Sequence, residues 1–253
     1  MEKLQVSVVM PAYNCAKTIA QAIDSVFAQE VSLELIVVND CSREDLDGVM
    51  AQYMDDPRLV YVKNEKNLGA AASRNKGVSL AKGRYVAFLD SDDYWVPGKL
   101  EKQLQALEST GAVLCCTARE LMTPEGELTG RVIPVKQKIT YRDLLLQNSI
   151  GCSSVLILAD VAKAHPMHHE DSHEDYIMWL EVLGKHGFAC GINEPLLKYR
   201  LTTTGKSGNK LKAAKMTFKV YRYMGFGLLK SCLCFISYAL HGVLKYAISY
   251  FHK

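Results

Sequence analysis

The chain has 253 residues and a mass of 28.2 kDa, enough for one large α/β domain and a short appendage but not for two full catalytic domains. Hydrophobic residues make up 49% and charged residues 23%, the balance of a folded protein, so wholesale disorder is excluded. The net charge of +3 hides an asymmetry: no Asp or Glu follows Glu194, whereas 11 of the 30 Lys and Arg residues do, so a basic tail is joined to an acidic body.

The first hundred residues alternate strand and helix. Val6 to Met10 reads as a buried strand stopped by Pro11, and Asn14 is placed to cap a helix with the apolar stripe Ile19, Ala22, Ile23, Val26 and Phe27. Leu33 to Val38 and Leu59 to Val62 read as the second and third strands, Gly69 to Lys82 as a helix closed by Gly83, and Tyr85 to Leu89 as the fourth strand. Near-continuous apolar strands in βαβ alternation imply a mostly parallel sheet covered by helices on both faces. Ligands of such sheets bind beyond the carboxyl ends of the strands, here Pro11 to Asn14, Asn39 to Ser42, and Asp90 to Asp93.

Beyond a helix starting near Pro97 the pattern is less regular. A strand at Ala112 to Thr117, a turn at Pro124 to Gly126, a helix near Tyr141 to Gln147 and a strand near Ser153 to Leu158 precede a helix from about His173 to Lys185. That helix carries Tyr176, Trp179, Leu180 and Leu183 on one face and has Gly187 beyond it. We divide the chain into a domain over 1–205, whose half at 1–97 carries the strand ends named above and whose second half covers 98–205, and a basic helical tail over 206–253.

In the tail, Lys210, Lys212, Lys215, Lys219 and Arg222 precede Phe226, Leu228, Leu229, Leu233, Phe235, Ile236, Tyr238 and Leu240. The 14 residues between Lys230 and Lys245 carry no formal charge, short of the roughly 20 that a bilayer-spanning helix needs. The expectation is a pair of amphipathic helices on an anionic membrane surface, the alternative being helices packed on the catalytic domain's acidic surface. Interleaved apolar residues favour lipid over nucleic acid. The 8 cysteines show no CxxC pair or zinc spacing and read as small core residues in a reducing compartment; with no signal peptide ahead of the first strand, a cytoplasmic chain is expected.

Three constellations carry chemistry. Asp90-Ser91-Asp92-Asp93 follows an apolar strand directly, so Asp90 and Asp92 can project together into the crevice and hold Mg²⁺ or Mn²⁺ through oxygen, leaving the ion's far side to a diphosphate. A solvated turn with Asp93 capping the next helix is the plainer alternative. Asp40, in Asn39-Asp40-Cys41-Ser42, could take a nucleobase N–H or a ribose hydroxyl, or could simply cap a helix starting at Arg43. In Asn67-Leu68-Gly69-Ala70-Ala71-Ala72-Ser73-Arg74-Asn75, small side chains permit close backbone approach, and Arg74 could reach a phosphate or base. No GxGxxG or GKS/T sequence is present, which counts against a dinucleotide enzyme or a P-loop NTPase. His168, His169, Glu170, Asp171 and His173 look like a metal site by composition, but without fixed spacing they read as a mobile loop.

Taken in order, Val8-Val9-Met10-Pro11-Ala12-Tyr13-Asn14, Val38-Asn39-Asp40, Asn67-Leu68-Gly69 with Arg74-Asn75, and Phe88-Leu89-Asp90-Ser91-Asp92-Asp93 resemble glycosyltransferase family 2 over about residues 5–200. The resemblance implies a GT-A fold and an inverting, metal-dependent enzyme. It implies that Pro11, Ala12, Tyr13 and Asp40 hold base and ribose, with Asn67, Gly69, Arg74 and Ser91 completing the donor site. Asp90 and Asp92 then contact ribose and the metal-diphosphate, and Asp175, in the match of Glu174-Asp175 to the family's ED motif, is the general base. From the residues alone, Asp175 reads as a helix N-terminal carboxylate. Glu174, Trp179 and Arg200 are acceptor-side candidates.

Two departures stand out. Cys41 replaces the family's glycine after Asp40, and Leu201-Thr202-Thr203-Thr204-Gly205-Lys206-Ser207 lacks the histidine that many relatives place after the arginine matched by Arg200. The implied reaction moves a sugar from a nucleotide diphosphate sugar, preferably of UDP, to a hydroxyl of a glycan or lipid-linked acceptor. Its setting is cell-surface polysaccharide synthesis such as capsule or lipopolysaccharide, with the enzyme peripheral on the inner face of the cell membrane. A nucleotidylyltransferase and a non-catalytic nucleotide-sugar-binding membrane module are the alternatives.

Overall fold

A computed structural model describes residues 4–201 and 210–248, so the 205/206 boundary and the segment Thr202 to Ser207 lie outside the described residues. The amino-terminal half runs β1 (Val6–Ala12), α1 (Ile19–Phe27), β2 (Leu33–Asn39), α2 (Leu46–Met50), β3 (Leu59–Lys63), α3 (Ala70–Leu80) and β4 (Tyr85–Phe88). The rest runs β5 (Tyr94–Trp95), α4 (Lys99–Thr110), β6 (Leu114–Met122), β7 (Leu128–Ile133), β8 (Lys138–Thr140), α5 (Tyr141–Leu146), β9 (Leu156–Leu158), α6 (Ala159–Ala164), α7 (Glu174–His186), β10 (Phe188–Arg200), α8 (Lys210–Tyr223) and α9 (Leu228–Ile248).

One sheet takes the order β3-β2-β1-β4-β9-β6-β10-β5, with β7 beside β6 and β8 beside β10. The first four strands are parallel, and β9 reverses direction between β4 and β6. Because β2 and β4 flank β1 on opposite sides, the chain switches direction across the sheet at β1, and a crevice opens there beyond the strand ends.

The period-2 alternation of each buried strand feeds two cores. Val6, Val8, Met10, Leu35, Val37 and Ala87 pack one face with α1 and α4, while Val9, Ile36, Val38, Val86 and Phe88 pack the other with α3 and α7. Each such side chain contributes roughly 1.5–3 kcal/mol when fully buried.

Several boundaries differ from expectation. β1 does not stop at Met10 but runs through Pro11 to Ala12. Val9 offers its carbonyl toward β4, to Leu89 N, so Pro11 two residues on faces the same side, beyond the last β1–β4 pair, where no donor is required. Asn14 does not cap α1; Thr18 occupies that position, while Asn14 adopts φ 49° and its Oδ1 accepts from Arg43 N at 2.9 Å. Asp40 caps nothing, because Asp45 caps α2. Gly83 does not close α3, which ends at Leu80; Gly83 is where Ser7 approaches, its N donating to Ser7 Oγ at 2.8 Å. Asp93 is no helix cap either, being buried against the backbone of Arg200. The expected strand at Ser153 to Leu158 opens instead as a 3₁₀ turn over Cys152–Ser154.

The tail packs inward. Met216, Val220 and Tyr221 of α8 are buried, Tyr221 donates to Leu145 O at 3.0 Å, and the Tyr176 ring meets those of Tyr221 and Tyr238 at centroid distances of 6.4 and 6.1 Å. The 167–173 loop is tied to α8 rather than loose. His169 stacks on Tyr223 at 3.6 Å, Asp171 bonds Lys219 and Tyr223, and Ser172 Oγ donates to Met216 O. On the outer face of α9, Leu229, Leu233, Ile236 and Leu240 form a stripe at helical spacing, each 56–76% exposed. Among the described residues no helix is long and apolar enough to cross a membrane.

A buried knot steadies the turn that supports β4. Lys99 lies 4.0 Å from the Trp95 ring centroid and donates to Gln103 Oε1, Gln103 donates to the Cys115 and Ser154 carbonyls, and Trp95 Nε1 donates to Ser153 O. Burial pushes the Lys99 amine down from 10.5 to about 7. Between these values the unfolded chain holds a proton that the folded chain does not, so this group makes stability rise with pH across that window. Thermal unfolding of Lys99→Met followed against pH is expected to lack that part of the rise; a slope equal to wild type would contradict it.

Candidate active site

Five segments converge on the crevice: the ends of β1, β2 and β4, the start of α3 and the start of α7. At the end of β1, Pro11 is half-buried, Ala12 is buried and Tyr13 is 41% exposed. Asp40 is buried at the end of β2 and its carboxylate is largely committed. Oδ1 accepts from Asn64 Nδ2 at 2.7 Å and Leu68 N at 2.8 Å, and Oδ2 accepts from Gly69 N at 2.8 Å. With Asn67 Nδ2 on the Asp40 carbonyl at 3.2 Å, this residue ties the α3 loop to β2. A carboxylate has about four acceptor positions, so one remains for a ligand. Cys41 holds φ 60°, the left-handed region that suits the glycine it replaces, and so carries local strain. The loop's glycine, Gly69, holds φ 90° with the Glu170 carboxyl 2.7 Å from where a Cβ would stand.

The acidic turn after β4 is bracketed by arginines. Arg200, expected on the acceptor side, is buried and works from behind: Nε donates to Asp92 O at 2.8 Å, the backbone N to Asp93 Oδ1 at 2.9 Å, Nη1 to Pro124 O and Nη2 to Gln21 Oε1. Arg74, expected on the nucleotide, lies 2.6 Å from Asp90 Oδ1 and 2.9 Å from Glu174 Oε1, with its side chain 7% exposed. Burial, then the charge of Asp90, pushes the Asp92 carboxyl up to about 6, and Asp93 is raised by burial and by both neighbouring carboxylates. Burial pushes the Cys15 thiol up to about 11.

At the start of α7, Asp175 Oδ1 accepts from Tyr176 N at 2.8 Å. Burial, then Glu174, raises its pKa, while His173 and Arg74 pull it down. Arg74 bonds both Asp90 in the turn after β4 and Glu174 at the start of α7, which brings the donor-side turn next to the helix end that carries Asp175. Trp179, the third acceptor-side candidate, is a core residue, fully buried against Phe88 at a centroid distance of 6.1 Å.

Among the described residues no group of three or more His, Cys, Asp or Glu side chains could enclose a metal alone. Asp90 and Asp92 do fit a hard cation that takes one or two carboxylates and completes its shell with phosphate and water, and the crowding that raises Asp92 is what such a cation would relieve. An open cavity of about 530 Å³ lined by Tyr141, His165, Leu180, Glu181, Gly184 and Met224 lies elsewhere and holds none of these residues.

A sequence model of glycosyl transferase family 2 matches residues 7–159. The chain belongs to glycosyl transferase family 2. It is 39% identical over 95% of its length, and 96% of the relative's, to TuaG of Bacillus subtilis (strain 168), a glycosyltransferase ascribed to teichuronic acid biosynthesis. It is 32% identical over 98% of both chains to WfaP of Escherichia coli, a UDP-Glc:α-D-GlcNAc-diphosphoundecaprenol β-1,3-glucosyltransferase. Its fold matches S. aureus TarS 1-349 in complex with UDP-GlcNAc at a TM-score of 0.71, 18% identity, and coverage of 91% of this chain and 69% of that one. The family 2 assignment sets aside the nucleotidylyltransferase alternative.

Sequence reasoning left Glu170 in a mobile loop, whereas its Oε2 accepts from Ala71 N at 2.8 Å at the start of α3 in this family 2 enzyme. No spacing flags it, because the loop that carries it meets α3 only in the folded chain. The Asp40 knot makes a direct prediction. Asp40→Asn turns one acceptor into a donor facing backbone N–H groups, and urea unfolding should show a loss of about 1–3 kcal/mol. Stability equal to wild type would mean that Asp40 does not hold the loop.

Proposed function

We propose that this family 2 glycosyltransferase moves a sugar from a UDP-sugar to a hydroxyl of a lipid-linked glycan, with inversion, as a step in cell-surface polysaccharide synthesis. The observation that carries the reading is the Arg74 bridge, which holds Asp90 at the β4 end against Glu174, the neighbour of Asp175 at the start of α7. The exposed Tyr13 ring offers a stacking face for the base, and Pro11, Ala12, Asn67, Gly69, Ser91 and the free acceptor position of Asp40 line the rest of the donor site.

Asp92 and Asp90 would hold Mn²⁺ or Mg²⁺, which supplies charge to stabilise the leaving diphosphate. Asp175 takes the proton of the acceptor hydroxyl as that oxygen attacks from the face opposite the leaving group. Its raised pKa brings it nearer to that of a useful base, and a positioned base of this kind contributes about 10²–10⁴ in rate. One base suffices for inversion. The WfaP acceptor is a diphosphoundecaprenol lipid, and a lipid-linked acceptor here fits the outward stripe of α9 beside the basic residues of α8. The enzyme then works as a peripheral protein on the inner membrane face, helices α8 and α9 of its tail contributing both core packing and lipid contact.

Two experiments test this reading. Nucleoside diphosphate release from UDP-, GDP- and dTDP-sugars with Mn²⁺ or Mg²⁺ and membranes as acceptor source should proceed with one donor, vanish with chelator, and be lost in Asp92→Ala and Asp175→Asn. Asp175→Asn should still bind that donor, and release that survives in Asp175→Asn would remove it as the base. Separately, Leu229→Ser with Leu233→Ser and Ile236→Ser should abolish co-sedimentation with anionic vesicles while thermal stability stays near wild type. Unchanged co-sedimentation would rule out lipid contact by that stripe.

A further inference from the structure

We propose that Arg74 is a positioning residue that couples the two halves of the reaction, tying Asp90 of the donor side to Glu174 beside the base, rather than a ligand of the nucleotide. This rests on the reading of Asp175 as general base.

Three elements meet at this guanidinium. Arg74 rises from the buried face of α3, Asp90 comes from the turn after β4, and Glu174 opens α7. Nη2 lies 2.6 Å from Asp90 Oδ1 and Nη1 lies 2.9 Å from Glu174 Oε1, with the Arg74 and Glu174 side chains 7% and 6% exposed. So buried a group has little surface left for a diphosphate. Asp90, at 30% exposure, keeps an open side toward the crevice, as a donor-contacting carboxylate must.

The pairing uses what only arginine offers. Its planar fork remains charged and presents two separate nitrogens, each aimed at a different carboxylate, where a lysine ammonium is a single point. Without it, the start of α7 and the β4 turn would face each other as like charges with little water between them. The bridge therefore fixes how far the diphosphate-holding turn stands from Asp175, one residue beyond Glu174. Misplacement by about 1 Å costs on the order of 10²-fold in rate, so turnover should depend on this link far more than affinity does.

The charges around Asp175 also give the link a sign. Glu174 and His173 act from its own helix, Arg74 from α3, and the Cys152 thiol beside it is held neutral by burial. Glu174 raises the Asp175 pKa and Arg74 lowers it.

The test uses the full chain and the variants Arg74→Lys, Arg74→Met, Glu174→Gln and Asp175→Asn, with calorimetry of UDP in the presence of Mn²⁺ and turnover against pH for the active donor. Arg74→Lys and Glu174→Gln should each lower kcat by about 10- to 100-fold while UDP affinity stays near wild type, and their double variant should be no worse than the weaker single. The acid limb of kcat should move up in Arg74→Met and down in Glu174→Gln. Should Arg74→Met fail to fold, the Glu174→Gln limb and the double variant still decide the matter. UDP affinity falling in step with kcat in Arg74→Lys, with Glu174→Gln like wild type, would make Arg74 a nucleotide ligand and overturn the proposal. Full turnover in Asp175→Asn would instead overturn the base reading, leaving the link between Arg74 and Glu174 to be judged from the double variant.

Discussion

The arrangement depends on one electrostatic constraint: Asp90, Asp92, Asp93, Glu174 and Asp175 gather beyond the carboxyl end of β4, where, among the described residues, the buried guanidinium groups of Arg74 and Arg200 contact them. Carboxylates removed from water repel one another and lose hydration, and their pKa values rise, as they do at Asp92, Asp93 and Asp175. Arg200 holds the acidic turn from behind through backbone and carboxylate contacts, and Arg74 spans it to α7. The crevice itself stays rich in oxygen ligands and short of positive charge. That imbalance suits a nucleotide diphosphate arriving with a divalent cation, since the cation completes the compensation that the protein leaves undone.

Much of this was legible in the sequence wherever local chemistry is self-sufficient. Strands β1, β2 and β4 are buried on both faces and so read as unbroken apolar runs, and their carboxyl ends are where ligands of parallel sheets bind. The family motifs fall on those ends. Legibility failed where partners are distant. β5, β7 and β8 are short or half-exposed and exist because β10 and β6 pair with them, across up to about a hundred residues of chain. Pro11 looked like a stop because the side of β1 it faces, beyond the end of β4, cannot be seen in a linear pattern. Arg74 was placed on a phosphate or base from its position in the α3 loop as well as from the resemblance, and Arg200 and Trp179 on the acceptor side; all three are buried in the folded chain, Trp179 in the core beside Phe88.

The tail divides its labour by face. Met216, Val220, Tyr221 and Tyr238 turn toward α5 and α7, and the 167–173 loop that leads into Glu174 is clasped by Lys219 and Tyr223 of α8. The opposite face of α9 carries its leucines and isoleucine outward with no partner among the described residues. The two tail placements weighed from the sequence, packing on the domain and lying on lipid, therefore concern different faces of the same helices.

The most direct measurement is the anomeric configuration of the product formed from an α-linked UDP-sugar, read from its proton NMR coupling. A single base opposite the departing diphosphate predicts a β-linked product. An α-linked product would mean a double displacement or attack from the face of the departing diphosphate, and would contradict the account.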